Sequence, residues 1–209
     1  MNPTANCPNC GAPIQFRWSS AVQTVCEFCH SILVRRDVNL ERVGQVADLP
    51  ADSSPIQIAT EGVYRNRAFQ VVGRIIYEYE QGGWNEWHAV FNDGASGWLS
   101  DAQAEYAVSF AAEAAGLPSA AAVKRGQRYQ FNGAFYEATC LTRARYRGVE
   151  GELPFEYWNK DEVLFVDLEG ADARFATLDY SDPKPTLYLG EAVEFDTLRL
   201  KNLRRFEGW

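Results

Sequence analysis

Two CxxC pairs, long stretches in which apolar and polar residues alternate, and Asn-Gly or Asn-Asp-Gly turn signals between those stretches predict a mainly β chain. Aromatic residues make up 13% of the 209 residues, an excess that suits strands better than helices. The expected architecture is a small zinc ribbon followed by a duplicated SH3-like or small β-barrel module. Residues 1–38 form the ribbon and 39–55 a linker. Residues 56–116 form the first copy of the β module and 117–209 the second.

The ribbon rests on Cys7, Cys10, Cys26 and Cys29. A CxxC pair lets two thiolates meet one ion from a single tight turn, and two such turns complete a tetrahedral Zn²⁺ shell. Gly11 follows the first pair directly, where a left-handed backbone turns amides towards sulfur. Ile14 to Trp18 alternates like a strand, Gln23 to Val25 reads as its return partner, and Ile32 to Arg35 as a third strand. So short a segment cannot bury enough apolar area alone, so the ion supplies much of its folding free energy. All four ligand positions are filled, which makes the Zn²⁺ structural, and His30 is expected beside the site rather than on the metal. Four of the five cysteines fall in these two pairs, which suits a metal in a reducing cytosol better than disulfides.

Residues 48–55 carry Pro, Ser, Asp and Ala, a linker composition with little apolar material. The stretch before it reads as an extended segment or a short helix. The linker predicts that the ribbon and the β module are weakly coupled. Loss of the metal through Cys10→Ser would then unfold the ribbon alone and leave the main unfolding transition within a few degrees.

In the first copy, Phe69, Val71, Gly73, Ile75, Tyr77 and Tyr79 alternate with Gln70, Val72, Arg74, Ile76, Glu78 and Glu80 until Gln81-Gly82-Gly83 breaks the run. Trp87 to Phe91 is the next strand, Asn92-Asp93-Gly94 a turn, and Ser96 to Leu99 opens another strand. Ala104 to Ala112 is a strand or a short helix. The second copy repeats the order. Asn132-Gly133 is a turn, Phe135 to Tyr146 a long strand, Gly148 to Gly151 its break, Phe155 to Trp158 a strand and Asn159-Lys160-Asp161 a turn. Val163 to Asp167 follows. A constant shift of 67 residues, Phe69 to Tyr136, aligns the copies and sets Trp98-Leu99 against Phe165-Val166. Glu78 and Glu80 would pair with Arg145 and Arg147 if those strands are neighbours.

The formal net charge is −8. Residues 51–116 carry three basic and nine acidic side chains, a net of −6. An acidic chain without a basic stripe repels phosphate, so nucleic-acid binding is disfavoured. A ribbon-based exception would need a patch around Arg17, Arg35, Arg36 and Arg42. No targeting signal and no apolar run long enough to cross a bilayer are found, which points to the cytoplasm. Peripheral membrane association remains an alternative through Lys201, Arg204 and Arg205, set among Leu198, Leu200, Leu203, Phe206 and Trp209 of a final strand and tail.

The stretch Tyr77-Glu78-Tyr79-Glu80-Gln81-Gly82-Gly83-Trp84-Asn85-Glu86-Trp87, followed by Gly97-Trp98-Leu99-Ser100-Asp101-Ala102-Gln103, resembles the signature of a bacterial family catalogued as domain of unknown function 4178. Gly148 to Pro154 and Leu200 to Arg204 extend the resemblance, from about Ala59 to Arg204. It implies a tandem β module, with an N-terminal rubredoxin-like ribbon as a familiar companion. It implies no catalytic residues, and a partner role in a bacterial membrane-stress system.

Trp84, Glu86, Trp87, His88, Trp98, Asp101 and Gln103 form the densest group of aromatic and polar residues, and are read either as a binding groove or as a packed hairpin. Cys140 shares an alternating face with Tyr136, Ala138, Thr142 and Ala144 and is expected to be buried and inert. No phosphate loop or nucleophile elbow is present, so an enzyme is disfavoured. The favoured expectation is a zinc-ribbon adaptor that binds a protein partner through the duplicated module. The alternative is a small-ligand site for a polyamine-like molecule, or an enzymatic module, using the Trp84–Gln103 groove.

Overall fold

A computed structural model describes residues 4–37, 39–46, 49, 53–157 and 162–206. The mainly β class is borne out: the described residues form fifteen strands and one short 3-10 helix.

The N-terminal unit is built from two hairpins, each with a CxxC turn at its tip. Strands β1 (Thr4–Asn6) and β2 (Pro13–Gln15) flank Cys7 and Cys10, and β3 (Gln23–Val25) and β4 (Ser31–Arg36) flank Cys26 and Cys29. The expected pairing of the Ile14 strand with Gln23–Val25 is therefore corrected. Each knuckle closes its own hairpin, so β2 pairs with β1 and β3 with β4. Strand β5 (Asn39–Gln45) then pairs along β4, so regular structure covers seven residues expected in the linker. Ala47, Asp48 and Pro50 to Asp52 of that linker lie outside the described residues.

The first half holds β6 (Glu61–Tyr64), β7 (Arg67–Tyr79), β8 (Gly82–Phe91), β9 (Ser96–Ala102) and β10 (Glu105–Ala112). The ambiguous Ala104–Ala112 segment is thus a strand. The second half holds β11 (Arg128–Phe131), β12 (Ala134–Leu153), β13 (Val163–Glu169), β14 (Arg174–Asp179) and β15 (Thr186–Val193). Both halves are antiparallel meanders. They join twice, β7 to β12 and β10 to β15, so the pairings close on themselves through eight strands. Tight hairpins fit this path. Arg65 and Asn66, Gln103 and Ala104, and Asn132 and Gly133 all have positive φ, as two-residue turns with the right twist require, and the longer β13–β14 loop places Asp172 and Ala173 there too.

The 67-residue offset relates Glu61 to Arg128 and Arg67 to Ala134, then fails. In pairing order β9 corresponds to β14 rather than to β13, because β12 does not turn back where β7 does. Glycines Gly148 and Gly151, expected to break the strand, instead lie inside β12 where it crosses β7. Gly151 stands opposite Gly73, and a Cβ on Gly73 would collide with the Glu152 carbonyl. Phe155 to Tyr157 is correspondingly not a strand, and the turn expected at Asn159-Lys160-Asp161 lies outside the described residues, as does Trp158.

Three cores result. One belongs to the first half, around Phe69, Trp87, Phe91 and Leu99. One belongs to the second, around Tyr136, Val166, Leu168 and Leu178. The third is shared: Phe165 of β13 packs 4.9 Å from the Tyr77 ring of β7. The C-terminal segment is a 3-10 helix (Phe195–Leu198) rather than a strand, and buries Leu198 in the first-half core. Arg204 N donates to Pro55 O, tying the segment to the start of the β module.

Candidate functional site

The four cysteine sulfurs lie within 4.8 Å of one another. The Cys7 and Cys29 sulfurs are 3.7 Å apart, as are those of Cys10 and Cys26. Four sulfurs bound tetrahedrally at about 2.3 Å have edges of about 3.8 Å, so the donor set fits one metal ion. The knuckles share a backbone pattern. Gly11 N donates to Cys7 O and His30 N to Cys26 O, each at 2.9 Å, and both Gly11 (φ 77°) and His30 (φ 55°) are left-handed. His30 thus occupies the position of Gly11 in the second knuckle, and is a turn residue rather than a ligand. The four thiols share their protons: hydrogen bonds from Asn9 and Ser31 lower the Cys29 pKa, whereas, against a backbone hydrogen bond from Ala12, burial and the neighbouring thiols raise that of Cys10.

This unit is seated firmly on the β module. Glu152 of β12 is buried, and its carboxylate accepts from Arg17 N at 2.6 Å and Trp18 N at 2.8 Å. Burial raises its pKa against those two bonds. The Gln23 side chain donates to Tyr157 O at 3.0 Å and accepts from Tyr157 N at 2.8 Å. Strand β3 continues the sheet by pairing Thr24 with Glu152 and Gln23 with Leu153. Arg36 forms an ion pair with Glu156, and Ile32 joins the shared core. The expectation of weak coupling through a linker is corrected. The contacts run through the ribbon's own strands, which the linker's composition does not report.

The seven groove residues divide between two faces and a turn. Trp84, Glu86, His88 and Trp98 share one face of β8 and β9, and Trp87 and Asp101 the other, as the pairings Trp87–Leu99 and His88–Trp98 require. Gln103 is exposed at the β9–β10 hairpin tip. Glu86 accepts from Trp84 Nε1 at 3.0 Å and Ser100 Oγ at 2.8 Å. Burial, with the charges of Asp167 and Asp179 beside it, pushes its pKa up to about 7. His88 is 0% exposed. Its Nδ1 faces Glu152 O at 2.9 Å and its Nε2 faces Ser96 Oγ at 2.7 Å. A carbonyl only accepts, so Nδ1 carries the proton and Nε2 accepts from Ser96. Burial pushes the His88 pKa down to about 4, so the ring is neutral. Trp87 fills the first-half core beneath the Arg74 guanidinium, 4.6 Å from its ring centroid. Asp101 accepts from Ser54 Oγ, whose oxygen also accepts from Ile56 N at 3.1 Å.

Cys140 is exposed, against expectation. A register shift between Ala138 and Cys140 turns it to the face opposite Ala138. The charge pairing of β7 with β12 is present in part: Arg145 stands opposite Glu78, and Arg147 lies 3.8 Å from Glu78.

A cleft of about 1240 Å³ opens where the ribbon diverges from the sheet. Its walls include Phe16, Ile58, Val72 and Val149, with Phe28 of the second knuckle on its rim. Phe28 is 68% exposed, an arrangement that sequence reasoning missed because a CxxC interior residue carries no pattern of its own. Among the described residues no helix is long and apolar enough to cross a membrane.

Residues 57–195 match the family profile described as Domain of unknown function (DUF4178). No curated protein and no solved structure matches the chain.

Proposed function

Since the chain belongs to the DUF4178 family, whose description names no activity, we propose from the site itself that it is a non-catalytic adaptor whose ribbon takes Zn²⁺ and docks a protein partner. The carrying observation is Phe28, a large apolar side chain held 68% exposed by a metal knuckle beside a cleft. Exposed aromatics on a rigid turn are the usual anchors of protein interfaces. Zinc is the ion that four thiolates in a tetrahedron suit best, and a filled shell leaves no position for a reacting water. The buried groups able to do chemistry are engaged structurally, His88 through both nitrogens and Glu152 through both oxygens. Glu86 and Asp101 lie on opposite faces, which favours this reading over a small-ligand pocket between them.

Immobilised zinc-loaded protein is expected to retain a defined partner protein, identified by mass spectrometry. Phe28→Ala should weaken that retention about tenfold or more, the size of an interface anchor. Its zinc content and circular dichroism should match the parent. A partner held equally by parent and variant would remove the docking role of the knuckle.

A further inference from the structure

We infer that the ribbon is a metal-held plug over one end of the shared core, and that occupancy of the four-thiol site decides whether His88 and Trp98 are closed off. The inference goes beyond the adaptor reading and stands whether or not a protein partner docks.

The latch lies inside the loop that the metal closes. Cys10 and Cys26 are 16 residues apart. Between them fall Arg17 and Trp18, whose amides sit on Glu152, and Gln23, whose side chain holds Tyr157. Releasing the ion frees both ends of this loop at once. It also empties the centre of the ribbon's own core, since Cys7 and Cys26 are two of its six buried members, beside Ile14, Phe16, Ala21 and Leu33. A unit this small does not hold its fold without its ion. The buried members of the two half-cores include no residue before Ile56, so each half keeps its packing when the ribbon leaves. Only the shared core draws on the ribbon, through Ile32 and the flanking Val25.

His88 lies directly beneath. The Trp18 ring meets the His88 ring edge-on at 5.0 Å, and Trp98, its cross-strand neighbour on β9, lies 5.2 Å from it. The imidazole is neutral near pH 7, so its reactivity towards an acylating reagent there reads access rather than protonation.

The chain has two histidines, and His30→Asn leaves His88 alone while keeping a residue suited to the left-handed turn. The full-length His30→Asn protein, loaded with zinc, is treated with diethyl pyrocarbonate with and without a chelator. Chelation is expected to speed His88 modification about tenfold or more, as local opening of a protected site does, with far-UV circular dichroism still β. Adding Trp18→Ala should speed it with zinc content unchanged, because the covering ring is gone and the thiols are not. His88 staying protected after chelation overturns the plug. So does loss of the whole β signal, which would make the ion a staple of the entire fold rather than of one cover.

Discussion

Glu86 and His88 stand two residues apart on one face of β8, and burial shifts them in opposite directions relative to pH. Glu86 has a folded pKa of about 7 against an ordinary 4.5, so folding takes up a proton between those values. Its contribution is fully present below about pH 4.5 and is lost as the pH rises through 7. His88 has a folded pKa of about 4 against 6.5, so its contribution is lost as the pH falls through that window. The two slopes oppose each other where they overlap. Glu86→Gln removes one of them, since glutamine keeps an acceptor for Trp84 without a charge to bury. The variant should match the parent near pH 4.5 and exceed it above pH 7 by on the order of 1–2 kcal/mol, less than full burial would give because the side chain is partly exposed. Urea unfolding across pH checks this, and a constant difference at every pH would contradict it. The place of Glu86 and His88 in an aromatic-rich stretch was legible from the sequence. Their roles were not, because face assignment depends on register, and the sequence leaves register open.

The crossing of β7 and β12 is the element on which the closed ring depends. It is made possible by Gly73 and Gly151, where the two backbones approach too closely for a side chain. Gly73→Ala is expected to force the strands apart and cost on the order of 3 kcal/mol or more, measured by urea unfolding or as loss of soluble protein. A change under about 1 kcal/mol would show that the crossing relaxes easily. Here the sequence misleads for a physical reason. Glycine serves both as a turn residue and as a point of close approach, and local pattern cannot separate the two uses. Strands β7, β8 and β9 were legible because Gln81-Gly82-Gly83 and Asn92-Asp93-Gly94 mark the turns between them, where Gly94 N returns to Phe91 O at 2.9 Å, whereas Gln103-Ala104 has no such signature and left β10 open. In the second half Gly148 to Gly151 and Phe155 to Tyr157 were misread, whereas the strand expected over Val163 to Asp167 is present as β13. The face of Cys140 was misread because a bulge leaves no mark in an alternating run.

At the scale of the whole molecule, the cluster of four cysteines that could hold a metal ion was fully legible, since two CxxC pairs at this spacing have few other uses. Attachment of the ribbon was not. It depends on Glu152 and Gln23, two polar residues that only the folded arrangement brings to buried positions against each other's strands. The ribbon is therefore both a unit with its own core around four clustered thiols and a contributor to the shared core. The most direct test is thermal unfolding of the zinc-loaded chain before and after chelation, followed by tryptophan fluorescence. Loss of the Glu152 and Gln23 bonds and of Ile32 packing removes on the order of 3–5 kcal/mol, which for a chain of this size lowers the main transition by about 10 °C. Cys10→Ser should reproduce the shift, and returning zinc should reverse it in the chelated parent only. A main transition that stays within a degree or two of the loaded protein after chelation would contradict the account, because the ribbon would then rest on the β module without supporting it.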